Sequence, residues 1–174
     1  RAGGRRGDGV EGGMAPGGAG ARRREVNYAV GERRFCAIGF RNDAGGWGRR
    51  SPQFKGSSAP KSITTFDRHG DTALLFEGFF DLLSYLTLQH KPEPIVDTAV
   101  LNSVVNLPCA LPFLARHATI HAFLDNDDAG RLTLDRLRSA LPGATVIDRA
   151  ESYRPHKDLN ESLRSSSNVS RPPH

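Results

Sequence analysis

The pattern of apolar and polar residues changes near residue 71. From there, short apolar runs that suit buried strands alternate with stretches whose apolar residues recur at helical spacing. The runs predict strands over residues 72–76, 97–101, 119–124 and 144–148. The helical stretches predict helices over residues 79–89, 111–117 (beginning near Pro112), 129–141 and 157–164. This alternation is typical of an α/β fold in which helices flank a parallel sheet.

Two of these helices have a clear apolar face. In the first helix and the helix over 129–141, apolar residues three or four positions apart are expected to face the core. The two sets are Phe79, Leu82, Leu83 and Leu86, and Leu132, Leu134, Leu137 and Leu141.

The segment ahead of this alternation predicts a small β-rich unit. Residues 34–40 suit a strand, residues 42–46 have turn chemistry, and residues 47–50 suit a returning partner strand. Residues 54–62 predict a loop that places Lys55 and Lys61 among small residues. The loop lacks the second glycine before lysine of a nucleoside-triphosphatase P-loop, but both lysines are candidates for contacting phosphate as point charges.

These patterns divide the chain into four parts. Residues 1–24 are rich in Gly, Ala and Arg and have little apolar surface, so they predict a disordered linker or tail. Residues 25–70 form a small basic β-rich subdomain, and residues 71–164 form the α/β domain. The Ser/Pro-rich residues 165–174 predict a disordered tail.

Charge is unevenly distributed along the 174 residues, whose net charge is +5. Residues 1–70 contain 14 Lys or Arg and 6 Asp or Glu, whereas residues 71–174 contain 10 and 13. This asymmetry is expected if the first part holds phosphates and the second holds a metal. No apolar stretch approaches the roughly 18 residues that span a membrane. Two distant cysteines, Cys36 and Cys109, predict neither disulfides nor a zinc site, so we expect a cytoplasmic location.

The candidate chemistry centres on residues 125–130, which follow the strand over 119–124. They contain three carboxylates within four residues, and such crowding is normally relieved by a cation or by solvent. Oxygen ligands of this kind suit a hard divalent ion such as Mg²⁺. The alternative is a solvated turn whose Asp and Asn residues cap a helix.

Polar residues also follow two other strands of the predicted sheet. Glu77 and Gly78 follow the strand over 72–76, and Asn102 follows the strand over 97–101. Ligands of open parallel sheets bind at the carboxyl ends of the strands. Three strands therefore deliver polar groups to one edge of the sheet, which favours a functional site over a capped turn.

These motifs resemble those of the Toprim domain, a Rossmann-like fold found in bacterial primases, topoisomerases, certain nucleases and recombination-mediator proteins. The segments Glu77–Asp81, Asp125–Gly130 and Lys157–Glu161 resemble successive motifs of the primase version. The resemblance covers about residues 70–164, and weaker similarity to the primase-like proteins of bacterial mobile elements extends upstream over 37–61. The resemblance implies a Toprim parallel sheet flanked by helices.

The resemblance also implies roles for the acidic residues. Asp125 and Asp127 would hold Mg²⁺, with Mn²⁺ as a possible substitute, and Glu77 would act as a general acid or base or share in metal binding. Asp128 would be a third ligand or an outer group. Asp81, one helical turn beyond Glu77, would orient Glu77 or join the metal site.

Four further residues are candidates for phosphate or nucleic-acid contacts, although a cap or surface role explains some of them equally well. Asn102 would position a phosphate or water, and Lys157 would contact an incoming phosphate. Arg131 lies at a helix start, where the dipole disfavours a cation unless an anion is near. Trp47, beside Arg49, is the best candidate for stacking on a base, although packing is the simpler explanation. The scattered histidines, including His117, are expected to be solvent-exposed.

The leading hypothesis is a primase-like, magnesium-dependent nucleotidyltransferase of DNA replication or mobilisation, acting on single-stranded DNA and nucleotides. Its protein partners would include a helicase or other replication or mobilisation proteins. It would not bind a membrane. A Toprim nuclease that uses the same acids, or a non-catalytic nucleic-acid-binding module of a larger replication protein, remains open as an alternative.

Overall fold

A computed structural model describes residues 22–30, 33–51 and 54–169 of the chain. Most of the predicted N-terminal tail, up to residue 21, lies outside the described residues, as do residues 170–174. No helix among the described residues is long and apolar enough to cross a membrane.

The larger of two sheets has five strands in the order β5-β7-β6-β8-β9. The four strands β6 to β9 are mutually parallel, and β5 runs antiparallel to β7 at one edge. This arrangement confirms the predicted parallel α/β fold. The strands are β5 (Thr64–Phe66), β6 (Thr72–Phe76), β7 (Asp97–Val100), β8 (Thr119–Phe123) and β9 (Thr145–Asp148).

In the described part of the chain, four α-helices cover the two faces of this sheet, and each face has its own apolar core. Leu75 of β6 is fully buried on one face, where it packs with residues of α2 and α3. Phe76 is fully buried on the other face, where it packs with residues of α1 and α4. Full burial of such a side chain contributes about 1.5–3 kcal/mol. The helices are α1 (Phe79–Leu88), α2 (Leu107–Leu114), α3 (Asp128–Ala140) and α4 (Leu159–Val169).

Helix α2 lies four residues earlier than the predicted helix over 111–117. The predicted start was wrong because the sequence has two prolines four residues apart, and the prediction placed the second of them near the start of the helix. A proline suits the first turn of a helix, and Pro108 holds that place while Pro112 lies inside the helix. Helix α4 also runs past Arg164, its predicted end, through residues that were expected to belong to a frayed tail.

Two predictions about the solvent exposure of side chains were also wrong. Leu132 was assigned to the apolar face of α3 but is half exposed, because only Leu134 and Leu137 of this set face the core fully. His117 was expected to be solvent-exposed but is buried, with its Nε2 3.4 Å from a carboxylate oxygen of the equally buried Asp97. Its Nδ1 lies 3.3 Å from the Leu114 carbonyl.

The smaller sheet is an antiparallel meander in the order β1-β2-β3-β4. Its second and third strands agree with the predicted pair over 34–40 and 47–50, but residues 54–57 form a strand where a loop was predicted. The strands are β1 (Arg23–Val30), β2 (Arg33–Arg41), β3 (Trp47–Ser51) and β4 (Phe54–Ser57).

The small sheet is fixed against the larger unit by stacking and by a hydrogen-bonded turn. The ring of Phe40 in β2 stacks on the ring of Phe79 in α1 at a centroid distance of 5.1 Å. In the turn after β2, the Asn42 side chain accepts from the Gly46 N–H and donates to the Pro60 carbonyl, each at 2.8 Å. A Cβ at Gly46 would lie 2.0 Å from the Pro60 oxygen, so this close approach requires glycine.

Candidate active site

Two acidic residues meet where adjacent strands end. Glu77 follows β6 and Asp125 lies just beyond β8, and these strands are parallel neighbours. The Asp125 backbone N–H donates to Glu77 Oε2 at 3.2 Å. The Glu77 N–H in turn donates to the Phe123 carbonyl at 3.2 Å. The sheet itself therefore fixes the position of Glu77 beside the residues that follow β8.

The acid loop, residues Asp125–Gly130, connects β8 to α3. Asp127 is the N-cap of α3, and its Oδ1 accepts from the Gly130 N–H at 3.0 Å. The capping role considered from the sequence is therefore present at Asp127. A Cβ at Gly130 would lie 2.0 Å from the Asp125 carbonyl oxygen. Only glycine allows the loop to fold back this closely onto the start of the helix.

Lys157 brings a positive charge between two of the acids. Its Nζ lies 3.2 Å from Asp125 Oδ2 and 3.2 Å from Asp127 Oδ2. The Lys157 side chain is 58% exposed, so it reaches the carboxylates from the solvent side. The predicted phosphate ligand is thus placed beside the predicted metal ligands, where it neutralises part of their charge.

Asn126 ties the Lys157 segment to the acid loop. Its backbone N–H donates to the Lys157 carbonyl at 2.7 Å, and its side-chain amide donates to the carbonyls of Ala150 and His156 at 3.0 and 2.9 Å. No role could be assigned to Asn126 from the sequence. The only available signal was an amide between two acids, which a turn explains equally well.

The electrostatics of the site differ from one acid to the next. Burial, and then the charge of Asp125, raises the pKa of Glu77 to about 7. Burial also raises the pKa of Asp125, against the opposing effect of Lys157. The pKa of Asp127 is lowered, first by the Gly130 N–H and also by Lys157. Near neutral pH, Asp127 is therefore ionised and Glu77 can readily take up or release a proton.

Asp81 is hydrogen-bonded to the start of α4. It is buried in α1, and its Oδ1 accepts from the Asn160 backbone N–H at 3.2 Å. Burial, and then the charge of Asp158, raises the pKa of Asp81 to about 7. The Ser84 hydroxyl completes the link by donating to the Asn160 side chain at 3.3 Å. Asp81 therefore joins α1, which follows Glu77, to α4, which follows Lys157.

Asp128 and Arg131 form an ion pair with each other at the solvent-exposed surface of α3. The Asp128 side chain is fully exposed and forms an ion pair of 2.6 Å with Arg131. Asp128 therefore places one anion beside Arg131 at the start of α3. The phosphate contact of Arg131 stays a prediction.

The remaining candidates lie on the side of the small sheet. Asn102 follows β7 with φ 61°, and its amide donates to the Ser62 carbonyl and the Thr64 hydroxyl at 2.9 and 3.1 Å. Its Oδ1 is buried without a partner among the described residues. Lys61 is exposed. Lys55 lies in β4, and its side chain is outside the described part of the structure.

Comparisons with known proteins agree with this architecture. A family model described as Toprim-like matches residues 74–163, and one described as a domain of unknown function (DUF8464) matches residues 18–59. No curated protein sequence matches the chain.

Several solved structures share the fold at low sequence identity. The primase fragment of the bacteriophage T7 primase-helicase is 19% identical with a TM-score of 0.60, and the match covers 83% of this chain and 63% of that one. A second match is a chain from the structure of T7 lagging-strand DNA polymerase interacting with the primase domains of two gp4 subunits bound to an RNA/DNA hybrid and dTTP. It is 19% identical with a TM-score of 0.61, and the match covers 87% of this chain and 79% of that one. A DNA primase domain from Pseudomonas aeruginosa is 17% identical with a TM-score of 0.50 and coverages of 81% and 52%.

The chain thus spans less than two thirds of the T7 primase fragment and about half of the Pseudomonas domain. The Toprim-like match covers more than half of the chain and contains Glu77, Asp125, Asp127 and Lys157. The resemblance recognised from the sequence motifs is confirmed, and the chain belongs to the Toprim-like family.

Proposed function

We propose that the chain is a primase-like nucleotidyltransferase, which joins nucleotides on a single-stranded DNA template in a magnesium-dependent reaction. The observation that carries this proposal is the convergence of Glu77, Asp125, Asp127 and Lys157 at the carboxyl ends of two adjacent strands. The likeness to primase structures, one of which is described as bound to an RNA/DNA hybrid and dTTP, supports the same reaction class.

The residues present fit a divalent ion by their chemistry. Asp125 and Asp127 already direct one oxygen each at a single cation, the Lys157 ammonium, at 3.2 Å. As arranged, the described residues contain no group of three or more His, Cys, Asp or Glu side chains that could hold a metal ion. Binding of Mg²⁺ by Asp125 and Asp127 would therefore require Lys157 to move outward, which its exposure allows. When bound, the ion would neutralise the charge that develops on the transferring phosphate, and Mn²⁺ could replace it.

The chain's own residues would then perform the remaining steps. Glu77, partly protonated near neutral pH, would accept the proton of the attacking hydroxyl or return one to a leaving oxygen. Lys157, displaced from the two aspartates, would contact the incoming phosphate as a point charge. Asn126 would keep Lys157 within reach through its hydrogen bonds to that segment.

The proposal is tested by incubating the full chain with a single-stranded template, nucleotides and Mg²⁺ and resolving the products on a gel. The expected result is an oligonucleotide product that is lost in Asp125→Asn/Asp127→Asn and in Glu77→Gln. Asp135→Asn is the matched control, because Asp135 is an exposed acid on α3 outside the site.

Three results would contradict the proposal. Absence of any product from folded, full-length protein would rule out the proposed joining activity. Biological activity that survives Asp125→Asn/Asp127→Asn would favour a non-catalytic module. Plasmid nicking is measured in the same preparations, and nicking without joining, abolished by Glu77→Gln, would reassign the site to a nuclease.

A further inference from the structure

The Lys157 ammonium lies between the two aspartates that are proposed to hold the metal. Its Nζ is 3.2 Å from Asp125 Oδ2 and 3.2 Å from Asp127 Oδ2. The Asp125 side chain is only 15% exposed, whereas that of Lys157 is 58% exposed. The ammonium therefore reaches the carboxylates from the solvent side, and a metal ion that binds these two oxygens has to compete with it.

The backbone of Lys157 is held in place, so its side chain can leave without a rearrangement of the site. The Lys157 carbonyl accepts from the Asn126 backbone N–H at 2.7 Å, and the Lys157 N–H donates to Glu161 Oε2 at 2.7 Å. Glu161 is fixed at the start of α4, where its own N–H donates to Asp158 Oδ1 at 2.7 Å. Release of the aspartates therefore needs only rotation of the exposed Lys157 side chain.

The two ion pairs of Lys157 are of a kind that a stronger ligand exchanges. Ion pairs of exposed lysines contribute little, because solvent screens them and the long side chain loses freedom when it is held. A displaced ammonium loses both of its carboxylate partners, and an anion that arrives with the metal would replace them. The phosphates of a nucleoside triphosphate supply such an anion, which a lysine contacts as a point charge.

We infer that Lys157 is an autoinhibitory latch, which occupies Asp125 and Asp127 against the metal until the phosphates of an incoming nucleotide draw it away. The choice of a nucleoside triphosphate rests on the proposed function. The metal and the triphosphate each remove an obstacle to the other, because both act by displacing Lys157. Such coupling between two ligands is equal in both directions.

The test first measures the affinity of the full chain for Mn²⁺ alone, from the electron paramagnetic resonance signal of the free ion. Lys157→Met removes the latch and should tighten Mn²⁺ binding by about 2- to 30-fold, the range expected from two exposed ion pairs. Arg154→Met is the matched control, because Arg154 is also 58% exposed but pairs with Glu151. Its loss should leave the affinity for Mn²⁺ unchanged.

The same substitution should have the opposite effect on nucleotide binding. Anisotropy of a labelled, non-hydrolysable nucleoside triphosphate in saturating Mn²⁺ measures this affinity. Lys157→Met should weaken triphosphate binding by about 10-fold, the loss of one charge-assisted contact, and Arg154→Met should not change it. A lysine with a purely structural role would weaken the binding of both ligands, so opposite signs identify the latch.

The wild-type chain offers a second measurement that does not depend on the folding of a variant. The chain has four lysines, so the side-chain signals can be assigned by NMR with ¹³C-labelled lysine. Titration with Mg²⁺ should shift and narrow the signal of Lys157 as its ion pairs are exchanged. The signal of Lys91, an exposed lysine outside the site, should stay unchanged.

The outcome is separable from that of the nucleotidyltransferase proposal. Mn²⁺ binding that is unchanged or weaker in Lys157→Met would overturn the inference even if the wild type made primers, and so would a Lys157 signal that does not respond to Mg²⁺. Unchanged triphosphate affinity in Lys157→Met would overturn the role of the phosphates. Tighter Mn²⁺ binding and weaker triphosphate binding in Lys157→Met would support the latch even if no primer were made.

Discussion

Replacing Glu77 with glutamine is expected to make the folded chain more stable at pH 8, although Glu77 is proposed to be catalytic. Burial, and then the charge of Asp125, raises the pKa of Glu77 from 4.5 to about 7. The folded state therefore binds this proton more tightly than the unfolded chain does. The resulting stabilisation is complete below pH 4.5 and is lost as the pH rises through 7.

The size of the effect follows from the shift in the pKa of Glu77. One pKa unit corresponds to about 1.4 kcal/mol, so a shift from 4.5 to about 7 sets an upper limit of roughly 3 kcal/mol. Solvent screening at this partly exposed carboxylate reduces the stability lost above pH 7 to about 1–2 kcal/mol. Glutamine has no proton to lose, and its amide oxygen can still accept the Asp125 N–H. For a chain of this length, a gain of about 1–2 kcal/mol raises the melting temperature by roughly 2–8 °C.

Thermal unfolding followed by circular dichroism from pH 5 to pH 8.5 measures this effect. EDTA in every sample keeps divalent ions from stabilising the wild type. The difference between Glu77→Gln and wild type should be smallest at pH 5 and largest above pH 7, whereas the exposed-site control Asp135→Asn should show no such trend. A Glu77→Gln variant that is no more stable at pH 8, or a difference that does not change with pH, would refute the reasoning.

Three other perturbations have defined outcomes. Millimolar Mg²⁺ should raise the melting temperature of the wild type at pH 8 and leave that of Asp125→Asn/Asp127→Asn unchanged, and equal shifts in a thermal-shift titration would place the ion elsewhere. Gly130→Ala should cost about 1–3 kcal/mol or more in urea unfolding, because its Cβ would lie 2.0 Å from the Asp125 oxygen. Gly143→Ala, which meets nothing within 4 Å, should cost little, and equal costs would contradict the argument. Asp97→Asn should destabilise by about 1–3 kcal/mol. Although burial opposes it, hydrogen bonding chiefly from backbone N–H groups lowers the pKa of Asp97. The contribution of the Asp97 carboxylate to stability should therefore be lost only as the pH falls below its ordinary pKa of 3.8.

The parallel strands could be predicted from the sequence to within one residue at either end. Strands in the middle of a parallel sheet are buried on both faces and therefore read as continuous apolar runs. Residues 73–76 of β6 and all four residues of β7 are buried in this way. Strand β5 gave no comparable signal, because it contributes only three residues at the antiparallel edge. It lies ahead of residue 71, yet it belongs to the larger sheet.

Burial of polar side chains could not be read from local patterns. His117 is buried because Asp97, twenty positions earlier, faces it from the start of β7. A lone histidine beside an arginine has the local appearance of a surface residue. The Asp97 carboxylate also accepts from the backbone N–H groups of Arg68 and Gly70 at 2.6 Å. Such a network depends on contacts between distant segments, and periodicity carries no information about these contacts.

The same distinction applies to the candidate site. The position of Glu77 and Asp125 at strand ends follows from the strands themselves, so the sequence could predict that both acids lie at one edge. The placement of Lys157 depends instead on Asn126, whose side chain reaches segments 24 and 30 positions away. The catalytic and binding roles of these residues stay predictions until the assays above are made.

The acid loop is held by hydrogen bonds from neutral groups, and this explains how it can keep its acids together. The charges of Asp125 and Asp127 both raise the pKa of Glu77, and Lys157 provides only a partial counter-charge from the solvent side. The Tyr153 hydroxyl donates to the Leu124 carbonyl at 2.6 Å, and the Asn126 amide holds two carbonyls of the segment that precedes Lys157. These bonds do not weaken with salt and do not titrate near neutral pH. Repulsion among the acids is therefore retained in the folded state, where a bound cation can relieve it without rebuilding the loop.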